Sequence, residues 1–478
     1  MKAQLVSSIN IRKYLYRPAR SVCPALLGLA LLFGIGIAHA SAAAAEQNWP
    51  QWRGPLGTGV APSANPPISW SETNNIKWKV KIPGSGSATP IIWDNRIFIQ
   101  TAIPTGKKVE ATPEKSDAPA PAANAPTADQ ARPRRGGGMG GPKPTEVYRF
   151  VVLCLDRQTG KELWQQTARE EVPHEGFKAN DGTFASSSPI TDGQHVFAYF
   201  GSRGMHCYDM NGGLKWSQDL GRMRIVMSFG EGSSPALAGD TLIVNWDNEE
   251  GSYIVALDKK TGKTLWKNPR DERSSWSTPL VVESNGKPQV ITTATGKIRS
   301  YDVETGKIVW ECGGLTRNVI PSPVAGNGLV YCTSGYQGNA LLAIRLGRTG
   351  DLTGTDAIAW SYGKSTPYVP SPLLYADKLY CFANNKGMLS CFDAATGKPF
   401  YTEERIEDIP DVYASPVGAA GRIYFTGRNG VTVVVKPSDK LEVLAINRLD
   451  EKTDASPVAV GKELFLRGRE YLYCITEK

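Results

Sequence analysis

Apolar residues come in short alternating or continuous runs, cut every few positions by Gly, Asn or Asp. One succession is Leu280-Val281-Val282, Gln289-Val290-Ile291-Thr292, then Ile298-Arg299-Ser300-Tyr301-Asp302. Runs of this length and period, bounded by turn residues, predict β-strands. After the turn Glu304-Thr305-Gly306-Lys307, a fourth run, Ile308-Val309-Trp310, completes the unit. Helical periodicity of useful length is missing beyond the first 45 residues. The unit then repeats. Ser-Pro or Thr-Pro opens it eight times, at Pro90, Pro189, Pro235, Pro279, Pro323, Pro372, Pro416 and Pro457. From Pro189 onward the intervals are 46, 44, 44, 49, 44 and 41 residues. Four strands at this period make one propeller blade. The expected fold is all-β: an eight-bladed β-propeller of four-stranded antiparallel blades.

A second beat falls between strands three and four. Asp156-Arg157-Gln158-Thr159-Gly160 leads to Trp164, Asp258 to Gly262 leads to Trp266, and Asp302 to Gly306 leads to Trp310. Asp393 to Gly397 leads to Tyr401, Tyr208-Asp209 to Trp216 is shortened, and Gly347 to Asp356 stretches the copy before Trp360. Asp caps the turn, Gly supplies its positive φ, and the aromatic ring is expected to bury against the neighbouring blade. The last unit has only Val458 to Val460, Glu463 to Arg467 and Tyr471 to Thr476 before the chain ends. Its missing strand is expected from Ile76-Lys77-Trp78-Lys79-Val80, which would close the ring and remove an exposed edge.

Composition adds the leader and the insert. Arg12, Lys13, Arg17 and Arg20 precede the apolar run Ala25 to Ala38 and small residues up to Ala45. This reads as a secretory signal peptide over residues 1–45, cut after Ala40 or Ala45, so the protein is expected to be exported, periplasmic or secreted. Without those residues the chain has 49 basic and 46 acidic side chains, which removes the reason to expect nucleic acid. No transmembrane span is expected in the mature chain. Residues 46–75 are read as a segment packing on the propeller, which runs from 76 to 478. Residues 103–147, rich in Pro, Ala and Gly and carrying Arg132-Pro133-Arg134-Arg135, are read as a disordered insert between strands two and three of blade one. Cys154, Cys207, Cys391 and Cys474 share a repeat position with Ala256 and Ala343, as small buried residues do. A cross-strand disulfide between Cys381 and Cys391 is the one pairing their positions around a hairpin invite.

The Asp-x-x-Thr-Gly-x-x-x-Trp element resembles the tryptophan-docking motif of pyrroloquinoline-quinone (PQQ) repeats. Trp49-Pro50-Gln51-Trp52-Arg53-Gly54-Pro55 is similar to the opening of secreted bacterial PQQ-like repeat proteins, and so are Tyr368-Val369-Pro370-Ser371-Pro372 and Ser275-Trp276-Ser277-Thr278-Pro279. That family contains quinoprotein dehydrogenases, which use PQQ and calcium. It also contains non-catalytic scaffolds such as the propeller lipoprotein of outer-membrane protein assembly.

Loops entering each Ser/Thr-Pro are expected to rim the channel. They bring Lys178, Asn180, Asp181, Arg224, Glu231, Arg273, Trp276, Arg317, Asn318, Tyr368, Asp411, Tyr413 and Asp454. Arg273 and Arg317 share one offset from their prolines and could clamp a carboxylate or phosphate, with Trp276 as a stacking floor and Glu231 as a partner. No two cysteines adjoin and no Cys-x-x-Cys-His occurs, unlike many quinoproteins. His174, His195 and His206 lack metal-ligand spacing, and no metal site is expected. The leading expectation is therefore a non-catalytic binding or scaffold module of the cell envelope. It would need no cofactor and would take envelope proteins or a small ligand at the channel mouth. The alternative is a PQQ- and calcium-dependent oxidoreductase of alcohols or sugars built on Trp276, Arg273, Asn318 and Asp411, with Asp411 as the base.

Overall fold

Proline cannot donate to a ladder, so each Ser/Thr-Pro stands just ahead of an innermost strand rather than within it. In this computed structural model, which describes residues 46–109 and 142–477, those entries lead into eight sheets around one axis. Blade four shows the pattern from the axis outward: Leu280–Ser284, Lys287–Thr292, Ile298–Asp302 and Ile308–Cys312, each antiparallel to the next. The only helical elements named among the described residues are two single 3-10 turns, Gly201–Arg203 and Val226–Ser228. None is long and apolar enough to cross a membrane. Blade eight joins the two ends of the propeller. Ile76–Lys81 pairs antiparallel with Tyr471–Ile475, setting Trp78 against Cys474 and Val80 against Leu472.

Why Ser or Thr precedes each proline is settled at the axis. The backbone N–H of Thr89 donates to Ser188 Oγ (2.9 Å), that of Ser188 to Ser234 Oγ (2.9 Å) and that of Ser234 to Thr278 Oγ1 (3.0 Å). Thr278 donates to Ser322, Ser322 to Ser371, Ser371 to Ser415 and Ser415 to Ser456 in the same way. Ser456 N–H returns to Thr89 Oγ1 at 3.1 Å. These N–H groups lie ahead of their strands and have no ladder partner, so a side-chain acceptor from the next blade satisfies each one. The result is a closed belt of eight hydrogen bonds. Ser322→Ala is expected to cost about 1–3 kcal/mol by stranding the Thr278 N–H, and Ser322→Thr to cost little; urea unfolding midpoints decide.

The second beat clamps neighbouring blades at their outer strands. Asp156 Oδ1 accepts from both Thr159 N–H and Thr159 Oγ1, and Asp258, Asp302 and Asp393 do the same with Thr261, Thr305 and Thr396. The turn ends in Gly at positive φ, as at Gly262 (+72°), where a Cβ would come within 2.5 Å of Trp216. The tryptophan of one blade thus lies flat on the glycine of the next and donates Nε1–H to a turn carbonyl. Trp78 reaches Arg157 O (3.0 Å), Trp216 Lys259 O (2.9 Å), Trp266 Val303 O (2.9 Å) and Trp360 Ala394 O (2.9 Å). Trp310 differs, because blade five stretches its turn. There Gly350–Asp351 adds as a parallel strand beside Ile308–Cys312, and the buried ring, whose Nε1 has no partner, shares an apolar cluster with Leu352. Bonds from threonine hold Asp156, Asp258, Asp302 and Asp393 below the usual carboxylate range. Their contribution is complete above the unfolded-state value and is lost as pH falls through the lower folded value. Melting temperature is therefore expected to drop below about pH 4, and less steeply when Thr159 and Thr261 are both Val.

The cysteines occupy the positions opposite these aromatics. Cys154 faces Trp164, Cys207 Trp216, Cys391 Tyr401 and Cys474 Trp78, as Ala256 faces Trp266. A small residue there leaves room for the ring. The cross-strand Cys381–Cys391 pairing that the hairpin allowed is not formed, and all seven cysteines among the described residues are buried and free. Cys381 faces Ser390 while Cys391 faces Tyr380, one register step apart, so the two thiols point to opposite faces of the sheet. The insert is also narrower than expected. Arg96–Lys108 and Glu146–Asp156 carry the strand pair outward, with Ile103 opposite Arg149 and Pro104 opposite Tyr148. The basic run at Arg132 and the leader at 1–45 lie outside the described residues.

Candidate functional site

The segment from Trp49 to Ala61 crosses the far end of the axial channel. Trp49 exchanges two backbone bonds with Ile92 of blade one, and Pro50 O accepts from Thr191 N–H of blade two. Arg53 donates to Pro416 O (2.9 Å) and Pro372 O (3.1 Å), the entry prolines of blades seven and six. Val60–Ala61 then pairs in parallel with the inner strand of blade seven. These contacts fall on both sides of the axis, so the segment stoppers the channel.

Trp52 floors the cavity this leaves, of about 430 Å³, which opens toward the strand entries. Its wall combines the hydroxyl belt (Thr89, Ser234, Thr278, Ser415 and Ser456) with aromatic rings from five loops: Phe229, Trp276, Tyr336, Tyr368 and Tyr413. Tyr336 and Tyr368 stack at 5.1 Å, and Trp276 is fixed by Nε1–H donation to Gly230 O at 2.7 Å. The loop ahead of blade two reaches past blade one to blades eight and seven. Asn180 O accepts from Arg428 Nη2 (2.6 Å) of blade seven and from Arg469 Nη2 (2.8 Å) of blade eight.

Charges at this mouth are paired. Glu231 accepts from Ser202 N–H (2.8 Å), Ser202 Oγ (2.6 Å) and Arg203 Nη1 (3.1 Å). Arg428 lies 3.8 Å over the Tyr413 ring and bonds Asp454 (2.6 Å), Asp181 (3.0 Å) and Asp411 (3.2 Å). Burial works to raise Asp181, but Lys178 and Arg428 outweigh it and hold the carboxyl below its ordinary range. Burial, reinforced by Asp181, pushes the Tyr413 hydroxyl up.

Of the residues singled out from sequence, Trp276 and Glu231 line the cavity, together with Lys178, Asp181, Tyr368, Tyr413 and Asp454. Asp411 is half-exposed and sits behind Arg428, and Asn318 contacts the Tyr368 hydroxyl from outside the lining. Arg273 and Arg317 are exposed and outside the lining, with Arg317 reaching only Gln337 (3.5 Å). Arg224 pairs with Glu250 on the surface. His174 lies 2.7 Å from Met223 O, and His206 is buried 2.9 Å from Arg203 O, its pKa lowered by that burial. Sequence reasoning missed Trp52, Phe229 and Tyr336. Trp52 carried a signal, since a second tryptophan three residues after Trp49 has no place in the blade pattern.

An eight-bladed ring whose aromatics dock on Asp-x-x-Thr-Gly turns, with a floored funnel on its axis, defines a PQQ-type repeat propeller. The family model described as outer membrane protein assembly factor BamB matches residues 149–403 and, overlapping, 250–478. The chain belongs to this PQQ-like repeat family. No curated protein matches it at a significant level. Among solved structures it is similar to BamB from Moraxella catarrhalis (16% identity, TM-score 0.48, covering 69% of this chain and 89% of that one). It is also similar to the quinohemoprotein alcohol dehydrogenase from Comamonas testosteroni (14%, 0.46, 93% and 85%) and to a europium-containing methanol dehydrogenase (11%, 0.45, 91% and 100%).

Proposed function

We propose that the protein is an exported, non-catalytic binding module of the cell envelope, and that the floored funnel is where it holds a small ligand or an aromatic side chain of an envelope protein. One observation carries this reading. The funnel offers aromatic faces and hydroxyls for contact, while each acid in its wall is already committed to a cation or to hydrogen-bond donors. A PQQ–calcium pair would need about six to eight oxygen ligands for the metal and cations for the carboxylates of the quinone. Glu231, Asp181 and Asp454 are engaged by Arg203 and Arg428, and Lys178, the one cation in the lining, by Asp181. Among the described residues no cluster of His, Cys, Asp and Glu is placed to hold a metal ion. The donor set does not fit the pair. The envelope assignment rests on the basic and apolar leader and on the family's description as an outer-membrane assembly factor.

Two measurements test the reading. Titration of the exported protein with PQQ and calcium, followed by tryptophan fluorescence and dye-linked alcohol oxidation, is expected to give no turnover; saturable binding with turnover would replace this reading with the oxidoreductase. A photo-crosslinker at Tyr368 in whole cells is expected to trap a defined envelope protein or ligand that the same group at Leu265, on the outer rim, does not.

A further inference from the structure

Beside the funnel lies a second cavity of about 310 Å³, bounded by the loop that carries Asn180 and by blades eight and one. Arg467, the last residue of the strand Glu463–Arg467, lines it although only 2% exposed. Its Nη1 donates to Ala88 O (2.6 Å) and its Nη2 to Gln100 O (2.9 Å). These bonds leave three of the five guanidinium N–H groups unspent. No carboxylate among the described residues forms an ion pair with it, so a full positive charge sits inside the protein facing only carbonyl dipoles. Burial pulls its pKa down to about 9. Such a cation is costly to keep unless an anion completes it. Gly86 shares the cavity wall, and a Cβ there would come within 2.5 Å of Arg467 Nη2, so only a glycine leaves room for the guanidinium at this wall. Arg469 stands at the rim, bonded to Asn180 O and 3.4 Å from Asp454. Asp454 also faces this cavity but is held by Arg428 at 2.6 Å. Ser85, Ser87 and Thr183 add hydroxyls to the same wall.

We propose that this cavity binds a small oxyanion, a carboxylate or phosphate group, through Arg467 and Arg469 with hydroxyl support from Ser85, Ser87 and Thr183. A guanidinium with free donors is suited to the two oxygens of such a group. This cavity adjoins the funnel and shares Ser87, Gly182, Thr183, Asp454 and Ala455 with its wall, but Arg467 and Arg469, which would hold the anion, are not part of the funnel lining.

The test is calorimetric titration of the purified exported protein with sodium phosphate and with sodium acetate at constant ionic strength, alongside thermal melts in the same series and in chloride. Expected are saturable binding of one anion per protein and a melting temperature that rises with its concentration beyond the effect of chloride. The preferred probe distinguishes a phosphate from a carboxylate ligand. Arg469→Gln should weaken binding at least about tenfold, and Arg467→Met should abolish both binding and the anion-dependent rise. If Arg467→Met fails to fold, Arg469→Gln decides. No saturable binding up to tens of millimolar, or equal affinity in the wild type and Arg469→Gln, would overturn the proposal and leave Arg467 a carbonyl tether like Arg53.

Discussion

Deleting residues 76–84 is expected to leave no soluble, cooperatively folding protein. Ile76–Lys81 is the outer strand of blade eight, so its loss exposes the edge of Tyr471–Ile475 along its whole length. Trp78 goes with it, and with Trp78 the contact on the Gly160 turn and the bond to Arg157 O that dock blade eight on blade one. Lys77 and Arg157 converge on Glu463 at 2.6 Å each, so the deletion also removes one of two cations from a largely buried carboxylate. Ile82 N–H, which donates to Glu470 O, and Pro83 O, which accepts from Thr101, disappear as well. A ring has no partial form of closure that keeps these contacts. Size-exclusion chromatography and urea unfolding provide the check. A soluble monomer with a single cooperative transition would refute the closure argument.

The second large effect is expected at Asp247. Its carboxylate and the Arg270 guanidinium are both completely buried and meet through two bonds, Nε to Oδ1 at 2.7 Å and Nη2 to Oδ2 at 3.1 Å. Arg270 Nη1 also donates to Thr292 Oγ1 and Tyr301 OH of blade four, while Ser275 Oγ donates to Asp247 at 2.6 Å. The network thus ties blade three to blade four beside Trp276. Asp247→Ala should cost about 3–5 kcal/mol, because it leaves Arg270 buried without its bonded counter-charge. Replacing both partners, Asp247→Leu with Arg270→Met, should recover most of that loss, since it is the unpaired charge that is expensive. Urea midpoints of the two single variants and the double variant measure the coupling. A double variant no more stable than Asp247→Ala would show that shape rather than charge governs the site.

The features legible in the sequence were those written by local, repeated contacts. The Ser/Thr-Pro entry and the Asp-x-x-Thr-Gly turn recur because each blade must solve the same two problems: an unpaired N–H at the axis and a seat for the neighbour's ring. The strand that completes blade eight was legible by subtraction. Contacts made once, over long sequence separations, left no such trace. Arg53 reaches carbonyls 319 and 363 residues away, and only the folded ring shows that its segment stoppers the channel under Trp52. Equal offsets also misled. Arg273 and Arg317 stand six residues before their prolines, yet both lie outside the cavity lining, because the long entry loops do not repeat the geometry of the strands they lead into. Cys381 and Cys391 failed by a single register step, which reverses the face a side chain occupies.

The shared blade sets the order of synthesis against the order of assembly. Ile76–Lys81 precedes its partner Tyr471–Ile475 by nearly four hundred residues, so the strand waits for the intervening blades to be made before it can be seated. The four strands of each of blades one to seven come from one continuous stretch of sequence and can form in the meantime, whereas closure must bear the loop-closure entropy of nearly four hundred residues. Until then an unpaired strand with three lysines and one tryptophan stays available to other chains.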